Sequence, residues 1–283
     1  MDITGETKLI GILGFPVAHS LSPRMQNSAF DALGLDIRYV PLEVKPKDLP
    51  DAVRGLRAMG FLGANVTIPH KVRAAELVDR LEGEAVITGA INTIVLQDGH
   101  LVGHTTDGIG FIKSLEEVTN NELRKSSALL IGAGGAARSI AIALAEKGIK
   151  QLAIINRSRD RAEELADLLQ RNFPALHLEL RSPEDANEDL VISSKIVINA
   201  TSIGLKGDLK MPPLAVDKLT KDHVVCDIVY TQSQETPLLL AARGKGASTM
   251  GGLGMLLHQG AAAIHLWTGV DPPIDVMREA IEP

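Results

Sequence analysis

Ala128–Gly148 reads ALLIGAGGAARSIAIALAEKG, and the fold turns on this stretch. A short apolar run of strand character leads directly into glycines. The glycines lead into an Ala- and Ile-rich segment with helical spacing. Gly132, Gly134 and Ala137 fit G-x-G-x-x-G/A. In that pattern the first small residue permits the tight turn, the second lets backbone approach a pyrophosphate, and the third lets helix and strand pack closely. The helix N-terminus then offers N–H groups and a positive dipole end to the anion. A glycine pattern alone is weak. Here it sits in the strand–turn–helix context it requires, so it reads as a dinucleotide-binding turn, the alternative being a purely structural one.

The next strand ends in AIINRSRDRAEEL. Its Asn156 lies 24 residues beyond Gly132. An NAD-binding unit usually carries Asp or Glu at about this place, for the ribose 2′-hydroxyl. Here Asn156, Arg157 and Ser158 stand there, with Arg159 and Arg161 close by. Guanidinium groups suit a 2′-phosphate, so NADP is expected over NAD. The bland alternative is that Ser158 caps the next helix and the arginines are solvated.

Working outward, apolar strands alternate with amphipathic helical stretches almost throughout. Strands are expected at KLIGILG, DIRYVPLE, GANVT, SALLIGAG, QLAIINR, KIVINAT and HVVCDIVY, with helices at SPRMQNSAFDALG, KDLPDAVRGLRAMG and AARSIAIALAEKG. Such alternation implies parallel sheets with crossover helices. NTIVLQDGHLVGH interrupts it, and its Asp98-Gly99 reads as a tight hairpin. VTNNELRKSS is a polar boundary loop. The chain thus divides into two α/β units: residues 1–106, then a second unit entered through the helix DGIGFIKSLEEV and running to about residue 250. The last helices, from GLGMLLHQGAAAIHLW, are compatible with packing on either.

The whole chain has 283 residues and a formal net charge of −6. That balance argues against a general nucleic-acid binder, which needs a basic face. Aromatics are only 3%, so the core must be aliphatic. The single cysteine, Cys226, allows no internal disulfide and reads as a buried strand residue. No Cys/His spacing suggests zinc, and no metal is expected. His258 and His265 lie seven apart without a third ligand. No apolar run reaches membrane-span length and the N-terminus lacks a signal-peptide pattern, so a cytoplasmic protein is expected.

The stretch 65–71 reads NVTIPHK and raises a separate question. It follows a strand, and Pro69 suits the first turn of a helix. Asn65, Thr67 and Lys71 gather where α/β proteins often place ligand chemistry, although caps and solvated charges occur there too. HSLSP with Ser20 and Ser22, GAINT with Asn92, and GHTTDGIG with Asp107 add hydroxyl, amide and carboxylate groups near other strand ends. Together they suit a small polyol acid.

Taken together the motifs resemble the shikimate dehydrogenase family. They read HSLSP at 19–23, NVTIPHK at 65–71, GAINT at 89–93, TTDGIG at 105–110, GAGGAA at 132–137 and NRS at 156–158. NATSIG at 199–204, DIVY at 227–230, TPLL at 236–239 and GMLLHQG at 254–260 complete the series, in the family's order along nearly the whole chain. The resemblance implies reversible NADPH-dependent reduction of 3-dehydroshikimate to shikimate, on the way to chorismate and the aromatic amino acids. It implies two α/β domains: a substrate domain with a mostly parallel sheet (residues 1–106 plus 252–283) and a Rossmann-type NADP-binding domain (107–251), with the active site in the cleft between them.

By resemblance, Ser20 and Ser22 bind the substrate carboxylate with help from Tyr230. Thr67, Asn92, Asp107 and Gln259 hold ring hydroxyls, Asn65 borders the pocket, and Lys71 with Asp107 forms the catalytic pair. Gly132, Ala133, Gly134, Gly135 and Ala136 match cofactor-binding positions, as do Asn156, Arg157, Ser158, Arg159, Asp160 and Arg161. Ile228 and Gly252 match positions beside the nicotinamide. Three positions depart from the usual pattern: Gln26 replaces a His, Thr105 an Asn and Gln232 a Pro. Lys71 acts either as a proton-transferring group or as a fixed ammonium. Rival readings are a broader quinate/shikimate dehydrogenase, a non-catalytic NADP-sensing regulator and a folate-linked dehydrogenase. The partner is a small molecule, with neither nucleic acid nor membrane involved, and the chain is a monomer or a homodimer.

Overall fold

The computed structural model describes residues 2–119, 123–185, 188–204, 210–230 and 235–282. Gln232 and part of the 118–127 boundary loop lie outside them. The chain forms two compact units, one of Met1–Gly110 with Leu256–Glu282, the other of Phe111–Met255.

The first unit opens with β1 (Lys8–Gly14), α1 (Ser22–Ala32), β2 (Ile37–Glu43), α2 (Leu49–Ala58), β3 (Gly63–Val66) and α3 (Lys71–Ala75). It continues with β4 (Arg80–Leu81), α4 (Glu84–Thr88), the hairpin β5 (Thr93–Gln97) and β6 (His100–His104), and the start of α5 (Asp107–Thr119). Its sheet runs β2-β1-β3-β5-β6-β4. β1 pairs in parallel with β2 and β3, whereas β5 is antiparallel to β3 and β6. The hairpin falls at Asp98-Gly99, both with positive φ (51° and 79°), the backbone a tight two-residue turn requires. Pro69 departs from expectation: α3 begins at Lys71 with His70 at its N-cap. Pro69 therefore lies in the connecting turn, where His70 N–H bonds back to the Thr67 carbonyl.

One face of this sheet carries an aliphatic core. Leu13, Ala64, Val66 and Ile94 pack there with Leu49, Val53 and Leu56 of α2. Each fully buried Leu, Ile or Val among them contributes about 1.5–3 kcal/mol relative to exposure. Alternation sends the intervening residues to the other face, Tyr39, Asn65 and Thr93 among them.

The second unit is built of β7 (Ser127–Ile131), α6 (Gly135–Glu146), β8 (Gln151–Ile155), α7 (Arg159–Asn172), β9 (His177–Arg181) and α8 (Glu188–Ser193). β10 (Ile196–Asn199), β11 (Val224–Asp227), α9 (Pro237–Gly244) and β12 (Ser248–Gly251) follow. Every pairing in its sheet is parallel, in the order β12-β11-β10-β7-β8-β9. Its inner strands β7, β8, β10 and β11 are buried almost throughout, as their continuous apolar runs require. The order reverses direction between β7 and β10, the switch point where open α/β sheets bind ligands.

Finally α10 (Gly252–Thr268) and α11 (Ile274–Ile281) carry the chain into the first unit. There α11 packs on α1. Trp267 donates its indole N–H to the Ile94 carbonyl at 2.9 Å and tilts against the Tyr39 ring. Gly63 accommodates this contact, since a Cβ there would lie 2.1 Å from Ile94 O and 2.6 Å from Trp267 Nε1. No helix among the described residues is long and apolar enough to cross a membrane.

Candidate active site

In the first unit, four strand ends bring the polar motifs to one edge of the sheet. β1 and β3 are parallel, with Leu13 opposite Val66, so the segments after them, 19–23 and 67–71, emerge side by side. β5 is antiparallel to both neighbours, with Thr93 opposite Asn65 and His104. The start of β5 and the end of β6 therefore share that edge, and Asn92 and Asp107 arrive there.

Lys71 and Asp107, 36 residues apart, form an ion pair with Nζ to Oδ2 at 2.5 Å. The carboxylate side chain is only 4% exposed and the lysine 17%. Asp107 is the first residue of α5, where the helix dipole favours negative charge. Its other oxygen, Oδ1, accepts from Asn92 Nδ2 at 2.9 Å. Asn92 Nδ2 also approaches Thr106 Oγ1 at 2.9 Å and Gln259 Oε1 at 3.2 Å. Gln259 is buried, and its own amide donates to the Leu256 carbonyl.

Asn65 is buried as well. Both its amide protons go inward, to the Asn92 carbonyl and Thr93 Oγ1, and its oxygen accepts from the Tyr39 hydroxyl. Hydrogen bonds thus connect Asn65, Asn92, Lys71, Asp107 and Gln259. Ser20 and Ser22 stand apart at the entry to α1, where Ser22 N–H donates to Ser20 Oγ. Thr67 follows β3, its N–H on the Leu13 carbonyl. A Cβ on Gly14 would lie 2.5 Å from the Thr67 methyl, so glycine leaves room for this side chain.

Two departures from the motif pattern, Gln26 and Thr105, fall among the described residues and leave these contacts intact. Gln26 is fully buried in α1 and donates to the Gly260 carbonyl, beside Gln259. Thr105 is buried next to Thr106. His70 is buried against the Val44 carbonyl, whereas His19 is exposed. His258 is buried, and His265 pairs with Asp271. No metal-binding cluster occurs among the described residues.

In the second unit, β7 ends at Ile131 and α6 begins at Gly135. Gly132 has φ of +119°, and a Cβ there would lie 3.0 Å from the Ala200 carbonyl oxygen. Gly134, by contrast, faces open space. A strained glycine against the chain, an open one before the helix and the buried Ala137 fit the three roles of a pyrophosphate turn.

β8 ends beside it, and Asn156 Nδ2 donates to the Ser158 carbonyl, closing the loop into α7. Ser158 sits at the N-cap without a side-chain capping bond. Arg157 and Arg161 are exposed without an ion pair among the described residues, whereas Arg159 reaches Glu163 and Asp160 is exposed. Two uncommitted guanidinium groups beside the turn fit a 2′-phosphate.

Ile228 follows β11 and Gly252 follows β12. A Cβ on Gly252 would lie 2.3 Å from the Ile228 carbonyl oxygen, so the two backbones touch. Tyr230, half-buried, ends the described part of that loop. Beneath it Asp227 is 1% exposed. It accepts from Asn199 Nδ2 (2.9 Å), Thr236 Oγ1 (2.7 Å) and Val229 N–H (3.1 Å). Burial pushes its carboxyl above the ordinary carboxylate range, against these three donors. This tie between the segments at 199, 227 and 236 escaped sequence reasoning. The signal available was polar residues ending two buried strands.

Comparisons with known proteins agree along the chain. The shikimate dehydrogenase substrate-binding domain profile matches residues 12–94, the shikimate/quinate 5-dehydrogenase profile 114–228, and the shikimate 5′-dehydrogenase C-terminal domain profile 252–282. A shikimate dehydrogenase (NADP+) of Desulforamulus reducens is 43% identical, covering 99% of this chain and 96% of the relative. Shikimate 5-dehydrogenase of Listeria monocytogenes, solved with shikimate and NAD, superposes with a TM-score of 0.90 at 38% identity, over 99% and 98% of the two chains. That of Thermus thermophilus, solved with NADP(H) and shikimate, gives 0.84 at 35%, over 97% and 98%.

Proposed function

The chain belongs to the shikimate dehydrogenase family, and from that premise we propose that it catalyses the reversible, NADP-dependent interconversion of 3-dehydroshikimate and shikimate. It is an oxidoreductase acting on a CH–OH group. The observation that carries this reading is the Lys71–Asp107 pair, its carboxylate buried and its ammonium partly exposed, with Asn92 and Gln259 around it. A sensor that only bound the nucleotide has no need of such a set.

NADPH supplies the hydride; the chain's own residues supply the rest. Reduction of the ring ketone creates negative charge on its oxygen. Lys71 stands at the mouth of the polar cluster and delivers a proton to that oxygen; in the oxidative direction it takes the hydroxyl proton back. Asp107, held through Oδ1 by Asn92, keeps Oδ2 on the ammonium and aims it. Asn92, Thr67 and Gln259 receive the ring hydroxyls. The Asn92–Gln259 bond, the longest of the Asn92 Nδ2 contacts at 3.2 Å, exchanges for one of them. Ser20 and Ser22 take the carboxylate, with Tyr230.

Gly132, Gly134 and the N-terminus of α6 take the pyrophosphate, and Arg157 and Arg161 the 2′-phosphate. A cytoplasmic site of action belongs to the same proposal. The test is spectrophotometric: purified protein with shikimate or quinate and with NADP or NAD, followed at the absorbance of the reduced cofactor. Turnover is expected to be fastest with shikimate and NADP. Cofactor binding without turnover of any pair rejects the enzyme.

A further inference from the structure

Three residues, Tyr39 and Thr93 with Asn65 between them, bear on the reacting pair through a run of directed hydrogen bonds. Tyr39, Asn65 and Thr93 share one face of the first-unit sheet. Tyr39 stands opposite Ile10, Asn65 opposite Ile12, and Thr93 opposite Asn65. Tyr39 is 2% exposed and Thr93 fully buried.

The direction of each bond follows from what each group can do. The Tyr39 hydroxyl donates to Asn65 Oδ1 at 2.7 Å. Asn65 Nδ2 donates to Thr93 Oγ1 at 3.1 Å. The Thr93 hydroxyl, its lone pair so engaged, donates to Asn92 Oδ1 at 3.0 Å. Asn92 Oδ1 also receives the Thr106 backbone N–H at 2.9 Å, a donor that cannot be reversed. The Asn92 amide is thereby fixed with its nitrogen toward Asp107, an acceptor only when ionised. Primary amides occupy two links of this series and do not pass protons along it, so the series orients and does not conduct.

We propose that Thr93, held in turn by Asn65 and Tyr39, is a positioning residue for the reaction. Its hydroxyl locks the Asn92 amide, and the locked amide sets the Asp107 carboxylate that aims Lys71. This inference rests on the dehydrogenase reading above. Removing the Thr93 hydroxyl leaves Asn92 Oδ1 with fewer donors and one Asn65 proton buried without a partner. Both amides then relax, and the Lys71–Asp107 geometry loosens.

The experiment measures kcat, KM for shikimate, KM for NADP and thermal midpoint in wild type, Thr93→Val, Thr93→Ser and Tyr39→Phe. Thr93→Val is nearly isosteric and lacks only the hydroxyl. It is expected to lower kcat by about 5- to 30-fold, the factor lost with one or two such bonds, with KM for NADP unchanged. Thr93→Ser restores most of the lost turnover. Tyr39→Phe keeps the ring on Trp267 and lowers kcat in the same sense by a smaller factor. A Thr93→Val kcat equal to wild type overturns the inference. So does a Thr93→Ser enzyme as slow as Thr93→Val, because methyl packing is then responsible. If Thr93→Val fails to fold, Tyr39→Phe decides: unaltered kcat overturns the inference and reduced kcat at unchanged KM for NADP supports it. Absence of turnover in wild type itself rejects the dehydrogenase reading and this inference with it.

Discussion

Two aspartates are buried at strand ends in this chain, and they are held in different ways. Asp107, in the first unit, has an ammonium on one oxygen and an amide on the other. Asp227, in the second, is met by an amide, a hydroxyl and a backbone N–H, all neutral. Asp227 gathers three segments through these neutral partners, as a structural tie should. Asp107 keeps a cation beside it that remains 17% exposed, as a group meant to meet a substrate should. On the proposed function, the partners, more than the burial, separate the carboxylate assigned to the reaction from the structural one.

The largest effect is expected from removing the cation. Lys71→Ala should lower kcat by about 10²–10⁴-fold, the usual worth of general acid–base assistance, with KM for shikimate changed much less. Lys71→Arg sharpens the point. A guanidinium keeps the charge but does not release a proton at ordinary pH, so a kcat as low as that of Lys71→Ala supports proton transfer. A kcat close to wild type would falsify that role and leave a fixed cation.

Asp227→Ala should act on stability. It strands the Asn199 amide, the Thr236 hydroxyl and the Val229 N–H, and each buried unpaired group costs about 1–3 kcal/mol, measurable by urea unfolding. Asp227→Asn keeps the bonds, because its oxygen accepts from Asn199 and Val229 while its nitrogen donates to Thr236. The charge is lost, and the Thr236 hydroxyl turns from donor to acceptor in that pair. Since burial raises the Asp227 carboxyl above its ordinary range, its contribution is fully present below the unfolded-state value. That contribution is lost as pH rises through the folded-state value. Relative to Asp227→Asn, wild-type stability should therefore fall on going from acid toward neutral pH. A constant difference between the two proteins contradicts a charge buried among neutral donors.

The contrast extends to cations. Lys71 already has its carboxylate, whereas Arg157 stands without an ion pair among the described residues. Arg157→Ala should lower the NADP-to-NAD affinity ratio by roughly tenfold, the lower end for a hydrogen bond to a charged group. An unaltered ratio counts against a phosphate contact. The smallest effect concerns Cys226, fully buried next to Asp227, whose thiol is pushed well up by burial and then by that carboxylate. Iodoacetamide should label it only on unfolding. Rapid labelling of the native protein would mean that β11 opens readily.

Most strands were legible because each carries a continuous apolar run or a clear alternation. β4, β9 and β12 were not. They lie at sheet edges or are very short, with few buried side chains, as in HLELR and STMG, so nothing in them repeats an apolar signal. The glycine turn could be read locally because its constraint is a backbone one, borne out by the positive φ of Gly132. The lysine–aspartate pair could not be read that way. Its members are 36 residues apart, and only the resemblance joined them before the strand ends did. Tyr39 and Thr93 passed as ordinary strand formers. A hydroxyl inside a strand shows its purpose only when the neighbouring strand's register is known.

The return of α10 bears on how the molecule is made. Gln259 and Trp267 complete the first unit, yet the ribosome delivers them after the entire second unit. The second unit is continuous in sequence and emerges whole while the first still lacks its final helices. Domains generally form as units during synthesis, so maturation here does not simply follow chain order. Until Gln259 is made, Asn92 is short of one neighbour. A chain cut before Leu256 thus keeps the second unit entire and lacks the closing helical part of the first.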